Sequence, residues 1–240
     1  MDKERYTRQL LFEPWGDTGQ KILETASVFI AGAGGLGSPA ALYLTAAGVG
    51  NVHICDSDEV ELSNLNRQIL HDEKAINSPK VDSARNKLTA LNSGVTLKTS
   101  RIRIDDGNAA GLIGDAQVVI DCLDNFNARY ILNRHAVRLG IPLVHAGIMG
   151  MAGQITVISP PETPCLYCLF PDMEQPKGPI PVVGAAVGVL GALEAVETLK
   201  LLLNMGEPLK GKLLIYDGLT AAFESVAVSP NPECPVCSSG

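Results

Sequence analysis

With 240 residues, 46% of them hydrophobic and 19% charged, the chain can bury a real core as one α/β domain over residues 1–240; two small domains are possible but unneeded. A formal net charge of −7 argues against nucleic-acid binding, and no basic, apolar leader precedes the first polar segment, so a cytoplasmic protein is expected. Six cysteines in such a chain point to metal or catalysis before disulfides.

Residues 1–26 read as a helical arm, with short helices near 4–10 and 18–25; its Arg5 and Arg8 flank Tyr6 and fit a solvated surface as they stand. The apolar run Val28 to Ala31 predicts a buried strand, followed at once by Gly32-Ala33-Gly34-Gly35-Leu36-Gly37. Ser38 to Ala47 then reads as a helix stopped by Gly48, and Val52 to Cys55 as a second strand ending at Asp56. Strand, glycine turn, helix, strand and acid is the order of a nucleotide-binding unit. Gly32 suits the tight turn, Gly34 leaves room for phosphate oxygens, and Gly37 permits close helix packing. The helix N-terminus attracts an anion, and Asp56 can accept from ribose hydroxyls. The plainer alternative is a packing turn and an exposed acid.

The polar loop from Asp58 to Gln68 lies beyond a strand's carboxyl end and so faces a ligand in an open α/β sheet. Ser78-Pro79-Lys80 opens a helix to about Leu91, with Ser78 as N-cap and Pro79 in the first position. Lys80 then opposes the helix dipole, which fits a lysine facing an anion, although a surface lysine also fits. Val95 to Thr99, Gln117 to Cys122, Ile141 to His145 and Gln154 to Ile158 read as strands, and Asn108 to Ile113 as a short helix. Asp124 follows the strand that ends at Cys122, and either Asn125 or Asn127 can cap the next helix, about 128–139. His145, at a buried strand end, reads as structural. Cys55 and Cys122 read as small core residues.

Cys165-x-x-Cys168 precedes a proline-dense run, Pro171 to Pro181, too rich in proline for regular structure. Gly184 to Leu203 is the most membrane-like stretch, yet Glu194, Glu197 and Lys200 lie inside it, so a buried helix is expected, with Gly184, Gly188 and Gly191 packing closely. Leu213 to Tyr216 and Phe223 to Val228 read as final strands before Cys234-x-x-Cys237. The two pairs, Cys165/Cys168 and Cys234/Cys237, supply the four thiolates of a closed, structural Zn²⁺ site stapling the C-terminal segment to the mid-chain loop; a redox dithiol or free thiols compete with that reading.

These residues resemble the MoeB/ThiF/HesA adenylyltransferases, bacterial relatives of ubiquitin-activating enzymes. The resemblance rests on Arg5-Tyr6-x-Arg8-Gln9, the glycine turn, Asp56-x-Asp58, Ser63-Asn64-Leu65-Asn66-Arg67-Gln68, Pro79-Lys80, Asp121-Cys122-x-Asp124-Asn125 and both cysteine pairs, across essentially the whole chain. It implies a Rossmann-like doubly wound, mainly parallel sheet extended by antiparallel C-terminal strands. It also implies ATP-dependent adenylation of a ubiquitin-like sulfur-carrier protein with a C-terminal Gly-Gly, as in molybdopterin- or thiamine-type sulfur transfer. By resemblance Gly35, Asp56, Ser63, Asn64, Leu65, Asn66, Arg67, Lys80, Asp124 and Asn125 contact nucleotide, Asp124 serves Mg²⁺ and catalysis, and Arg8, Arg67 and Lys80 are the catalytic cations. Arg8 reaches the site of the other protomer in a homodimer, and residues 165–183 form the zinc knuckle and a crossover loop over the carrier's tail.

The stretch Gly178 to Ala185 lacks the cysteine that some relatives use for a covalent carrier link, and no sulfurtransferase sequence follows Cys237. Adenylation alone is therefore expected, with sulfur delivered by another protein. A nicotinamide-dependent (NAD(P)) oxidoreductase and a non-catalytic nucleotide-binding dimer are the rival readings. The first fits the glycine turn and Asp56 but leaves Arg67, Lys80, Asp124 and the four cysteines unexplained.

Overall fold

Apolar, largely β-branched runs form the parallel part of one sheet: β1 (Ser27–Ala31), β2 (Asn51–Cys55), β4 (Val118–Asp121) and the start of β5 (Leu143–Met149), with β3 (Thr96–Ser100) at the edge. In this computed structural model, which describes residues 2–174, 178 and 180–238, β6 (Ala152–Ile158), β7 (Lys212–Asp217) and β8 (Ala222–Ala227) continue the sheet antiparallel. Among the described residues the order is β3-β2-β1-β4-β5-β6-β7-β8, the doubly wound arrangement expected. The order reverses between β1 and β4, the switch point beyond whose strand ends open α/β sheets bind their ligands.

The period-2 alternation of strand side chains divides the core in two. Val28, Ile30, Val52, Ile54, Val118 and Ile120 pack under α2 (Gly16–Thr25), α3 (Gly37–Ala47), α4 (Lys80–Leu91) and α8 (Gly184–Leu203). Phe29, Ala31, Cys55 and Val119 pack on the other face against α5 (Ala109–Ile113), α6 (Phe126–Leu139) and the one-turn α7 (Leu166–Leu169). The short α1 (Thr7–Leu10) leads into α2, so the N-terminal arm is helical as expected.

Three local expectations change. Helix α4 starts at Lys80, not Pro79: Pro79 is extended, its carbonyl accepts from Asp82 and Ser83, and it occupies the cap position without a side-chain bond. Ser78 does not cap, because its backbone is tied into the preceding turn through Ala75 and Val60. Strand β5 runs past His145 to Met149, because β6 folds back on it through Gly150 (φ 64°) and supplies partners that β4 no longer offers. Of the two candidate caps for α6, Asn125 is used, its Oδ1 accepting from the Ala128 N–H at 2.9 Å.

Helix α8 is buried as expected, with Glu194 fully enclosed and Glu197 accepting from the Leu209 amide and pairing with Lys200. No helix of the described residues is long and apolar enough to cross a membrane. A Cβ at Gly184 would collide with the Asn66 carbonyl, and one at Gly191 with that of Leu36. At Gly188 it would meet nothing within 4 Å, so the close packing is made where α8 crosses the Arg67 loop and the start of α3. Of the proline-dense run, residues 175–177 and 179 lie outside the described residues; with them goes much of the expected crossover loop.

Candidate active site

The glycine turn sits between the ends of β1 and β4. Gly32 has φ 102°, and a Cβ there would be 2.6 Å from the Cys122 carbonyl. A Cβ at Gly37 would collide with the Gly32 carbonyl, so Gly37 packs on the turn itself. At Gly35 a Cβ would meet Val187 of α8 at 2.8 Å, whereas Gly34 is open except for the Gln68 amide nitrogen at 3.6 Å. Helix α3 starts with no side-chain cap; its Ser38 N–H donates to the Gly34 carbonyl at 2.9 Å and Pro39 has no N–H, so what the helix end offers an anion is its dipole and the amides of the glycine turn. Asp56 stands at the end of β2 with both oxygens engaged: Oδ2 accepts from the Ala33 N–H and Oδ1 from the Asp58 N–H, each at 2.8 Å. A carboxylate has about four acceptor positions, so both oxygens can still accept from a ribose.

The loop from Asp58 to Gln68 closes over this end of the sheet. Ser63 Oγ donates to Glu61, and buried Asn64 Oδ1 accepts from the Glu61 N–H, which shapes a 3₁₀ turn over Leu62–Asn64. Leu65 is half-buried in the same turn. Arg67 folds onto its own loop, donating to the Ser63 carbonyl (2.9 Å) and Asn66 Oδ1 (3.0 Å), with its Cγ 3.7 Å from where a Gly35 Cβ would stand. Lys80 is only 6% exposed, and its Nζ pairs with Asp58 Oδ2 at 3.0 Å. Asp124 is exposed at the mouth, and among the described residues its carboxylate has no hydrogen-bond or ionic partner. Arg8 is exposed on α1 and likewise unpaired, so it is not gathered with the others.

Two further residues shape the site. Buried His71 bridges the Ala33 carbonyl and Ser83 Oγ, each at 2.9 Å, pinning the glycine turn to α4; burial holds its imidazole below the ordinary range. Buried Gln68 sits beside Gly34 with Oε1 unpartnered among the described residues. Gln68 is visible at the end of the Ser63–Gln68 run, whereas a lone histidine in a polar loop carries no signal.

Behind Asp124 lies a buried polar cluster. Asp121 is fully buried; burial raises its pKa, but Arg129 and His145 hold it below the ordinary carboxylate range. His145 Nδ1 lies 2.7 Å from Asp121 Oδ2, the structural role expected of it, and burial lowers its pKa. Arg129 is the ion-pair partner of Asp121, its Nε 3.8 Å from Oδ2, and removing either charge of such a buried pair typically costs about 3–5 kcal/mol. Glu194 is pushed well above the ordinary range, first by burial and then by Asp121's negative charge; Cys122 Sγ donates to its Oε2 at 3.4 Å. A raised acid stabilises fully below its unfolded value, about 4.5, and loses that contribution as pH climbs towards its folded value. Glu194→Gln is therefore expected to raise Tm more at pH 8 than at pH 5, by about 2–4 °C for each kcal/mol. Equal shifts at both pH values in a thermal melt would count against the assignment.

Further along α6, beside Asn133, the four cysteines converge. Sγ–Sγ separations are 3.9 Å (Cys165–Cys168), 3.6 Å (Cys165–Cys234) and 3.4 Å (Cys168–Cys237), and all four sulfurs lie within 4.8 Å of one another. A tetrahedron with Zn–S bonds of about 2.3 Å has edges of about 3.8 Å, so the donor set fits zinc in number, type and spacing. Burial pushes the Cys165 thiol up to about 11, whereas at Cys234 burial is outweighed by hydrogen bonds from the Val236 and Cys237 backbone, which bring it down to about 7, so a bound cation would be needed to ionise the whole set. Asn133 of α6 accepts from the Leu166 N–H, seating the first pair on the core.

The ThiF family matches residues 6–236 of this chain. The chain is 41% identical over 243 residues to the SAMP-activating enzyme E1 of Haloferax volcanii, covering 99% of this chain and 89% of that protein. It is 42% identical over 245 residues to the sulfur carrier protein adenylyltransferase of Thermus thermophilus, covering 98% and 90%. The crystal structure of E. coli MccB with ATP covers 99% of this chain and 75% of its own, with a TM-score of 0.88 and 24% identity, a likeness of fold.

Proposed function

The chain belongs to the ThiF family, and from that premise we propose that it is an ATP-dependent adenylyltransferase that joins AMP to the C-terminal Gly-Gly carboxylate of a ubiquitin-like sulfur-carrier protein and releases pyrophosphate. The observation that carries the site assignment is one of placement. The α3 N-terminus, Asp56, the Arg67 loop, Lys80 and Asp124 all stand at the carboxyl ends of β1, β2 and β4, around the point where strand order reverses.

The chemistry suits that inventory. A carboxylate is a nucleophile at neutral pH, so no general base is required. The obstacle is charge, because an anion must approach the α-phosphate of a polyanion. Lys80 and Arg67 supply positive charge beside the helix N-terminus, and Asp56 orients the ribose. Neither basic residue is idle before nucleotide arrives: Lys80 pairs with Asp58 and Arg67 with its own loop carbonyl, so incoming phosphates would compete with those partners. Asp124, unpaired at the mouth among the described residues, is the residue that would hold Mg²⁺, which when bound neutralises phosphate oxygens and the leaving group. The four cysteines would hold Zn²⁺ with no open coordination position, a structural role. The family's relatives are adenylyltransferases and activating enzymes by name, which leaves the oxidoreductase reading without support.

The homodimer is part of the same proposal. An apolar cavity of about 360 Å³ lies between α3 and α8, lined by Gln9, Tyr43, Val196 and Leu199, with Tyr43 60% and nearby Phe12 53% exposed. Arg8 stands beside this face, the place from which it could enter a partner's site. Val196→Asp is expected to give monomers by light scattering and to lower exchange at least as far as Arg8→Ala does. A fully active monomer would remove Arg8 from the site.

Labelled pyrophosphate entering ATP only when a Gly-Gly-ending carrier is present is the expected result. ATP binding without exchange, tested across the small Gly-Gly-ending carriers that co-purify with the protein, would favour a non-catalytic nucleotide-binding dimer instead.

A further inference from the structure

Asp124 has no side-chain partner among the described residues, so the backbone sets where its carboxylate stands. That backbone is held in an unusual way. Strand β4 stops pairing with β5 at Asp121↔His145, while β5 continues to Met149. Where the strands part, the carbonyls of Leu123 and Ala146 face no strand partner across the gap, and the guanidinium of Arg129 fills it. Its Nε donates to the Leu123 carbonyl at 3.0 Å; the NH2 nitrogen donates to the same oxygen and to the Ala146 carbonyl at 3.0 Å.

The grip is closed on the other side. The Leu123 N–H donates to Asp121 Oδ1 at 3.2 Å, and Asp121 Oδ2 lies 3.8 Å from Arg129 Nε, so an acid and a base hold the two backbone polar groups of one residue. Arg129 is 7% exposed and Asp121 fully buried, and the Phe126 ring lies 5.5 Å from the guanidinium carbon. A planar fork reaches two diverging carbonyls from separate nitrogens while facing a carboxylate; an ammonium offers its three donors from a single atom.

We propose that Arg129 is a positioning residue for Asp124: by clamping the Leu123 carbonyl in the split between β4 and β5, it sets the Asp124 carboxylate at the mouth of the nucleotide crevice. This rests on the reading of Asp124 as a site carboxylate. Arg129 itself touches no substrate.

Arg129→Lys separates the two roles the guanidinium plays, since it keeps the charge opposite Asp121 and removes the fork. The measurements are hydrogen–deuterium exchange of the full-length protein and the Mg²⁺ dependence of pyrophosphate exchange. The expected result is amide exchange at least tenfold faster over residues 123–127 with the α8 amides unchanged. The Mg²⁺ concentration for half-maximal activity should rise about 10–100-fold, as when a group that orients a metal ligand is lost. Wild-type amide exchange in the 123–127 segment, or an equal increase along the whole chain, would overturn the proposal. Should Arg129→Lys fail to fold, Phe126→Leu, which removes the ring over the guanidinium and leaves the ion pair, takes its place: faster amide exchange confined to residues 123–127 supports the clamp, and wild-type exchange there overturns it. If the wild-type protein shows no pyrophosphate exchange, the adenylation reading falls, while the amide measurement still decides whether Arg129 holds the turn.

Discussion

Lys80→Ala is expected to lower carrier-dependent pyrophosphate exchange by about 10²–10³-fold, a loss of about 2.7–4 kcal/mol by analogy with deleting an oxyanion donor. The size follows from placement. Lys80 is nearly buried, stands in the first turn of α4, and has Asp58 as its ion-pair partner. A cation there works against the helix dipole, so its removal should relieve about 0.3–1 kcal/mol. Asp58's side chain is 64% exposed, so losing its partner leaves it in water and costs the fold little. Two small effects of opposite sign on stability then accompany one large effect on rate. Melting temperature should therefore stay close to wild type while kcat/KM falls. A loss under tenfold in a folded variant would place Lys80 away from the phosphates.

Removal of zinc is the second large effect. Metal analysis of native protein is expected to find one zinc per chain, and Cys234→Ser to lose it. Structural zinc sites bind with apparent free energies of about 10–16 kcal/mol, comparable to the whole stability of a domain, about 5–15 kcal/mol. The core on the α8 face contains none of the four cysteines, whereas the other includes Cys165 and Cys234, so a part of that energy should appear as destabilisation. Even a third of it, about 3–5 kcal/mol, would lower Tm by roughly 6–20 °C. The loss should be felt first where Cys234 and Cys237 anchor the C-terminal segment against α7. Well under one zinc per chain, with an unchanged melt for Cys234→Ser, would return the cysteines to the redox or free-thiol readings.

Much of the fold is legible in the sequence because its signals are local. Short β-branched runs bounded by glycine or polar residues mark the central strands within a residue or two. Gly48 marks the end of α3, which it closes in the left-handed conformation. Local reading fails where a distant element supplies the deciding bond. Ser78 has the chemistry of a cap, but its backbone is taken up by Val60 and Ala75, and the extended Pro79 stands in its place. His145 reads as the last residue of a strand because the apolar run stops there, whereas β6 carries the pairing onward through Gly147 and Met149.

From residue order alone came the glycine turn, the acid after β2, the cysteine pairs and the family resemblance, because each depends on spacing within a few residues. Folding decided which of these groups meet. It brought two cysteine pairs 69 positions apart to within bonding distance of one ion, gave Lys80 its partner Asp58, and left Asp124 unpaired among the described residues. It also created the split between β4 and β5 that Arg129 fills, which no periodicity announces, since the need for a guanidinium arises only where two chain segments diverge and leave carbonyls facing each other away from water.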